Sequence, residues 1–252
     1  MSLPAFIEAG QGATAVLLLH GIGGGKAIWA DTLDALAAAG HQAVAIDFPG
    51  YGDSPGTPTM DALVAAVATT LDRLGAARTV LVGHSMGGMV AQELLARGPM
   101  LLKGLVLACT SASFGKADGA WQAKFVAERL APLDAGLGMT GIAQALVPAM
   151  VSPGAVAGAQ QRAMAVMSAV PEATYRVALR AIAAFDRREA LPSIRVPTLC
   201  LAAEHDRTAP PEVLQRMAQR IPGARYTCLA NAGHIANVEQ PAAFNAALLS
   251  AA

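Results

Sequence analysis

The stretch Thr79-Val80-Leu81-Val82-Gly83-His84-Ser85-Met86-Gly87-Gly88 carries the strongest structural signal in the chain. Its first four residues are typical of a strand that is buried on both faces, and a helical pattern starts near Met86. The pattern Gly-x-Ser-x-Gly between a strand and a helix predicts a sharp turn with Ser85 at its apex. Glycine at positions 83 and 87 removes side chains that would collide across this turn, and we expect a strained backbone at Ser85.

Apolar runs alternate with helical patterns along most of the chain. The expected strands cover residues 15–19, 42–46, 79–82, 104–108, 197–201 and 225–229. The expected helices cover residues 27–39, 59–74, 86–97, 211–220 and 240–250. This alternation predicts an α/β fold, in which a mostly parallel, doubly wound sheet has helices on both faces.

Residues 112–190 break the alternation, because they contain helical patterns interrupted by proline and glycine and no convincing strand. We interpret this stretch as a helical cap. It would be inserted into an α/β core that consists of residues 1–111 and 191–252. Additional helices packed on one face of the sheet are the alternative interpretation.

The composition excludes several classes of function. Hydrophobic residues make up 54% of the 252 residues and charged residues 14%, so the chain can bury a large core. Eighteen basic residues balance eighteen acidic ones, which argues against nucleic acid or an anionic membrane surface as a partner. The histidines and the three separated cysteines suggest neither a metal site nor a disulfide. With no signal-peptide pattern and no membrane-spanning run, we expect a soluble, cytoplasmic protein. We also expect that it uses no cofactor. The oligomeric state is not predicted.

A second glycine-rich turn, His20-Gly21-Ile22-Gly23-Gly24-Gly25, follows the expected strand at residues 15–19. Its glycines allow backbone N–H groups to point into a site. We predict that the N–H groups of Ile22 and Met86 form an oxyanion hole, because a nucleophilic mechanism needs two donors at the tetrahedral oxygen. A phosphate-binding loop is the rival interpretation, but the spacing of the phosphate-loop and dinucleotide motifs is not matched. His20 is expected to hold the loop in place.

Ser85 needs a base that accepts its proton, and His234 is the best candidate. His234 lies in the loop after the last expected strand, and parallel sheets place their chemistry at the carboxyl ends of the strands. Asp206 follows the preceding strand and is expected to hold His234 in the right tautomer. Glu204 is the reserve acid. A helix N-cap or an ion pair with Arg207 is the alternative role for Asp206.

Five motifs, in chain order, resemble those of the α/β-hydrolase superfamily over essentially the full length. They are His-Gly-Ile-Gly at 20–23, the loop at 47–54, the serine turn at 83–88, Ala-Glu-His-Asp at 203–206 and Ala-Gly-His at 232–234. The resemblance implies the α/β-hydrolase fold, with the helical cap inserted after the sixth strand. The segment from Arg195 to Pro241 is similar to β-ketoadipate enol-lactone hydrolases and related hydrolases of ring-cleavage pathways.

The chain order of Ser85, Asp206 and His234 predicts acyl transfer to water through an acyl-enzyme. We expect a serine hydrolase that cleaves a small carboxylic ester or lactone. The alternative reactions are C–C bond cleavage in a ring-fission product, thioester cleavage, hydrolysis of acyl-homoserine lactones and perhydrolysis. A catalytically idle binding scaffold of the same fold is the non-enzymatic alternative.

Aromatic residues near the expected site are candidates for the substrate pocket: Trp29, just after the oxyanion loop, and Trp121 and Phe125, on the first cap helix. Residues 171–191 are expected to form one helix whose basic stripe, with Arg176 and Arg180, faces solvent. An inward arginine that pairs with a substrate carboxylate is the alternative. Because the cap is apolar, we expect neutral esters or lactones to be preferred over analogues with a free carboxylate.

Overall fold

The computed structural model describes residues 3–114 and 119–252 and contains one seven-stranded sheet. The strands are β1 (Phe6–Ala9), β2 (Ala15–Leu19), β3 (Gln42–Ile46), β4 (Thr79–His84), β5 (Gly104–Ala108), β6 (Thr198–Ala203) and β7 (Arg225–Leu229). Their order across the sheet is β1-β3-β2-β4-β5-β6-β7. Only β1 runs antiparallel to its neighbour; the other pairs are parallel. The predicted mostly parallel α/β sheet is therefore confirmed.

Helices cover both faces of the sheet. Outside the insertion they are α1 (Ala30–Ala38), α2 (Met60–Leu74), α3 (Met86–Ala96), α8 (Pro211–Arg220), α9 (Ala236–Glu239) and α10 (Pro241–Leu249), with short 3-10 turns at Lys26–Trp29 and Ala76–Arg78. Side chains alternate between the faces of a strand, so Leu17 packs in one hydrophobic cluster and Leu18 in the other. Both clusters are buried, which explains why these strands read as continuous apolar runs.

The first strand was missed by the sequence analysis. β1 lies at the edge of the sheet, and most of its residues are exposed. It pairs with β3, where Phe6 lies opposite Ile46. An exposed edge strand of four residues leaves no apolar run in the sequence, so the usual signal of a buried strand is absent.

Four helices lie between β5 and β6, and we call them the cap helices: α4 (Gly119–Asp134), α5 (Gly138–Met150), α6 (Ala159–Ser168) and α7 (Glu172–Ala183). Among the described residues only β1 precedes β2, so the cap helices follow β5, the fifth strand. The expected insertion after the sixth strand is therefore wrong. Leu130, Met139 and Leu179 of these helices belong to the same hydrophobic cluster as Leu17 of the sheet. The division into a core and a separate cap stays a prediction.

The single helix expected at residues 171–191 is interrupted. α7 ends at Ala183, and a 3-10 turn follows at Arg188–Ser193. Between them, Asp186 forms an isolated bridge with Ser113, and the Arg187 N–H donates to the Ala112 carbonyl at 2.7 Å. The two ends of the insertion are thereby joined, which the helical pattern of the sequence did not reveal. No helix within residues 3–114 and 119–252 is long and apolar enough to cross a bilayer.

Candidate active site

The turn between β4 and α3 holds Ser85 in a backbone conformation that L-residues rarely adopt. Its φ is 52°, in the left-handed region. The strain is of the order of 1–3 kcal/mol and persists only where the surroundings hold it in place. Here the surroundings are tight: a Cβ at Gly83 would lie 2.5 Å from the carbonyl oxygen of Gly87, and a Cβ at Gly87 would lie 2.4 Å from that of Leu19. The glycines of the turn are therefore required by close backbone contact.

The structure brings three predicted site residues into one hydrogen-bonded line. His234 Nε2 lies 3.0 Å from Ser85 Oγ, and His234 Nδ1 lies 2.8 Å from Asp206 Oδ2. Asp206 and His234 are buried, at 3% and 5% exposure. In this arrangement the Nδ1–H group of His234 donates a hydrogen bond to Asp206, so Nε2 is free to accept the proton of the Ser85 hydroxyl.

The second carboxylate oxygen of Asp206 fixes the orientation of the group. Oδ1 accepts hydrogen bonds from the N–H groups of Thr208 at 2.8 Å and Ala209 at 2.9 Å. Asp206 therefore orders the loop ahead of α8, whose N-cap is Pro210, and does not cap the helix itself. Glu204, the reserve acid, is exposed and accepts from the Asn231 N–H at 2.8 Å. It lies outside the Ser85–His234–Asp206 line.

Two further histidines support the site without titrating near neutral pH. The Nε2–H group of His84 donates to the His234 carbonyl at 2.7 Å, which helps to fix the backbone of that residue. His20 donates from Nδ1 to the Gly21 carbonyl and accepts from the Phe48 N–H at Nε2, so it holds the glycine-rich turn at residues 20–25 in place. Burial lowers the pKa of His20 and of His84 to about 4, and both rings are neutral at pH 7.

Both predicted oxyanion donors lie beside Ser85. Met86 is the first residue of α3, so its N–H has no acceptor within the helix. Ile22 and Met86 line the same cavity as Ser85. The loop of Ile22 is fixed by Tyr51, whose hydroxyl donates to the Ile22 carbonyl at 3.0 Å. Such a pair of N–H groups, with the positive end of the α3 dipole, can stabilise a developing oxyanion.

The cavity that contains Ser85 and His234 has a volume of about 790 Å³ and lies between the sheet edge and the cap helices. Trp121 and Phe125 line it, as the sequence analysis expected, and their rings stack with centroids 5.4 Å apart. The expectation for Trp29 is wrong. Trp29 is fully buried on the opposite face of the sheet, where its ring lies 6.0 Å from that of Phe244.

The expected basic stripe is held away from this cavity. Arg176 forms ion pairs with Asp134 at 2.7 Å and Glu172 at 2.8 Å. Arg180 lines a different surface cavity beside Asp134. Within the described residues, no group of three His, Cys, Asp or Glu side chains is placed to hold a metal ion.

Comparison with known proteins agrees with this geometry. A model of the alpha/beta hydrolase family matches residues 16–247. The chain belongs to the alpha/beta hydrolase family. It is accordingly a hydrolase, and the resemblance inferred from the five sequence motifs is confirmed.

Relatives of this alpha/beta hydrolase carry several activities in their names. A Variovorax paradoxus (strain S110) protein named as a carbamate hydrolase, RutD, is 34% identical over 93% of this chain and 90% of its own length. The enol-lactonase of Burkholderia xenovorans LB400 is 27% identical, with a TM-score of 0.85 over 98% of this chain and 95% of that structure. A thermophilic esterase of Thermogutta terrifontis is 29% identical, with a TM-score of 0.83 over 98% of this chain and 91% of that structure.

One residue that the sequence analysis did not single out holds the loop of His234 against the cap. Glu239 is fully buried, and its carboxyl oxygens accept three backbone N–H groups: Ser152 at 2.7 Å, Gly233 at 2.8 Å and Ile235 at 2.9 Å. Ser152 follows cap helix α5, whereas Gly233 and Ile235 flank His234. The sequence offers one signal of this role, because Glu239 is an acidic residue within the otherwise uncharged stretch after His234.

This arrangement predicts a large effect of Glu239→Gln on stability. The amide offers one acceptor oxygen and turns an NH₂ group toward backbone donors, so at least one buried N–H loses its partner. We expect the free energy of unfolding to fall by about 1–3 kcal/mol, measured by urea denaturation. Glu189→Gln is the matched control: its side chain is 95% exposed, and the change is expected to stay within about 0.5 kcal/mol. Equal losses in the two variants would contradict the role of Glu239.

Proposed function

We propose that this alpha/beta hydrolase cleaves a small carboxylic ester or lactone through an acyl-enzyme. Ser85 is the nucleophile, His234 the general base and Asp206 the acid that orients His234. The observation that carries the proposal is the continuous line from Ser85 Oγ through His234 to Asp206, with distances of 3.0 and 2.8 Å, at the wall of a cavity. A nucleophile, a base and an orienting group in hydrogen-bond reach are what covalent acyl transfer requires.

The reaction follows from these contacts. Ser85 Oγ attacks the carbonyl carbon while its proton passes to His234 Nε2, and the N–H groups of Ile22 and Met86 bind the resulting oxyanion. When the tetrahedral species collapses, the C–O bond to the alcohol breaks and the alcohol leaves with the proton from Nε2. Water, activated by the same nitrogen, then attacks the acyl-enzyme and releases the acid and Ser85. In a lactone, the leaving alcohol stays attached to the acyl group.

The size of the cavity and the names of several relatives favour an ester or lactone as the substrate. A volume of about 790 Å³ suits a small molecule, and Trp121 and Phe125 offer apolar surface to it. Several relatives are named for such substrates, among them the enol-lactonase and the Thermogutta esterase. A carbamate is the second candidate, because it presents the same kind of carbonyl to Ser85 and the Variovorax relative is named for it.

A panel of simple esters, lactones and carbamates, assayed on the parent and on Ser85→Ala, tests the proposal. We expect the parent to hydrolyse at least one ester or lactone. In Ser85→Ala, kcat/KM should fall by roughly 10³-fold or more, to the level left by the oxyanion donors and binding. The thermal midpoint of the variant should match that of the parent, which excludes unfolding as the cause. Full activity in Ser85→Ala would reject the mechanism, and an inactive parent would favour an idle binding scaffold.

Asp206→Asn is expected to lower kcat by roughly 10³- to 10⁴-fold. Because the N–H groups of Thr208 and Ala209 require an acceptor at the Oδ1 position, the new NH₂ group must face His234 Nδ1. His234 would then be protonated at Nε2 and unable to take the proton of Ser85. Glu204→Gln is the matched control and should retain most activity, since Glu204 lies outside the line. The reverse result, with Glu204→Gln as the damaging change, would show that the acid is misassigned.

A further inference from the structure

The cavity of Ser85 has an uneven distribution of charge. Three arginines line it: Arg129 from α4, Arg207 from the loop after β6, and Arg216 from α8. No aspartate or glutamate of the described residues lines the same cavity. The whole chain has a net charge of zero, so this local excess of positive charge is not a reflection of the composition.

These three arginines also differ from the others in their hydrogen bonds. Every other arginine donates at least one hydrogen bond to a carboxylate, an amide or a backbone carbonyl. Within residues 3–114 and 119–252, Arg129, Arg207 and Arg216 have neither an ion pair nor a hydrogen-bond acceptor. The contact of Arg129 is with an aromatic face, since its guanidinium carbon lies 5.0 Å from the centroid of Phe125.

Helix α8 carries, within two turns, one arginine without a polar partner among the described residues and one ion-paired arginine. Val213 and Arg216 are three residues apart, share one helix face and both line the cavity. Arg220, one turn further, forms an ion pair with Glu189 at 3.2 Å. Arg207 and Arg216 are exposed and Arg129 is half-buried. They therefore lie where one end of a substrate would remain near water while its carbonyl reaches Ser85.

We infer that these arginines bind an anionic end of the substrate, so that the preferred ester or lactone carries a free carboxylate remote from the scissile carbonyl. A guanidinium binds a carboxylate through two parallel N–H···O bonds, and a carboxylate in a partly apolar cavity is costly without such a partner. The inference rests on the proposed function. It reverses the expected preference for neutral substrates, which was based on the apolar character of the cap. The carboxylate partners considered there were Arg176 and Arg180, and both lie outside this cavity.

Monomethyl and dimethyl esters of straight-chain dicarboxylic acids, from four to eight carbons, test this inference. At one or more chain lengths, and at low salt, we expect kcat/KM for the monoester to exceed that for the diester by about tenfold, the scale of one charge-assisted hydrogen bond. The ratio should fall toward one in the double variant Arg207→Gln/Arg216→Gln, and also in the parent as added salt screens the exposed charges. Arg220→Gln on the same helix is the matched control and should keep the ratio of the parent.

The possible failures separate the two proposals. If the diesters are cleaved in a Ser85-dependent reaction but no chain length favours the monoester, the inference is wrong and the proposed function stands. A preference for the monoester that persists unchanged in the double variant overturns the assignment to Arg207 and Arg216. If neither series is hydrolysed at any chain length, this inference is rejected, and the panel of esters and lactones on the parent and on Ser85→Ala decides separately whether the proposed function stands.

Discussion

The backbone of Ser85 is the constraint on which the rest of the site depends. A residue with φ of 52° at the end of β4 turns the chain sharply into α3, so that the Ser85 side chain faces the cavity and the N–H of Met86 is free for an oxyanion. This turn demands close packing of α3 on the sheet, where a Cβ at Gly87 would collide with the Leu19 carbonyl. The strained turn is thus stabilised by contacts between β2, β4 and α3 rather than by its own residues.

Parallel strands then bring the remaining groups to the same edge. The loops after β2, β6 and β7 supply Ile22, Asp206 and His234, residues that are far apart in the sequence. A parallel sheet gathers the carboxyl ends of its strands, and its ligands bind in the crevice outside those ends. The fold therefore brings the proposed nucleophile, base and acid together from segments that lie far apart in the chain.

The cap helices contact the loop of His234 as well as the cavity. Met150, at the end of α5, accepts a hydrogen bond from the His234 N–H at 2.8 Å, and Glu239 joins Ser152 to Gly233. A movement of α5 would therefore shift the loop of His234. Trp121 and Phe125 lie on α4 among the same cap helices, so the aromatic rings that line the cavity and the groups that hold the loop of His234 belong to one packed unit.

Much of the site could be predicted from the sequence, because its determinants are local. The Gly-x-Ser-x-Gly turn, the strand ends and the order of Ser85, Asp206 and His234 are read directly from short motifs. The failures concern features that depend on the tertiary structure. Trp29 lies only a few residues after the glycine-rich turn at residues 20–25, yet it packs on the other face of the sheet. Closeness in the sequence therefore does not place it in the cavity. Likewise, a helical pattern shows that Arg176 and Arg216 lie on helices. It does not show that Arg176 pairs with acidic side chains whereas Arg216 lines the cavity.

The central claim is that Ser85 is the activated nucleophile, and covalent labelling tests it most directly. Ser111 and Ser113 also line the cavity, so the position of the label matters as well as its presence. The protein would be treated with a fluorophosphonate, digested and mapped by mass spectrometry. We predict one phosphonyl group per chain, on the peptide that contains Ser85, and loss of rapid labelling in His234→Ala. Labelling at Ser111 or Ser113 instead, or no reaction in the native protein, would contradict it.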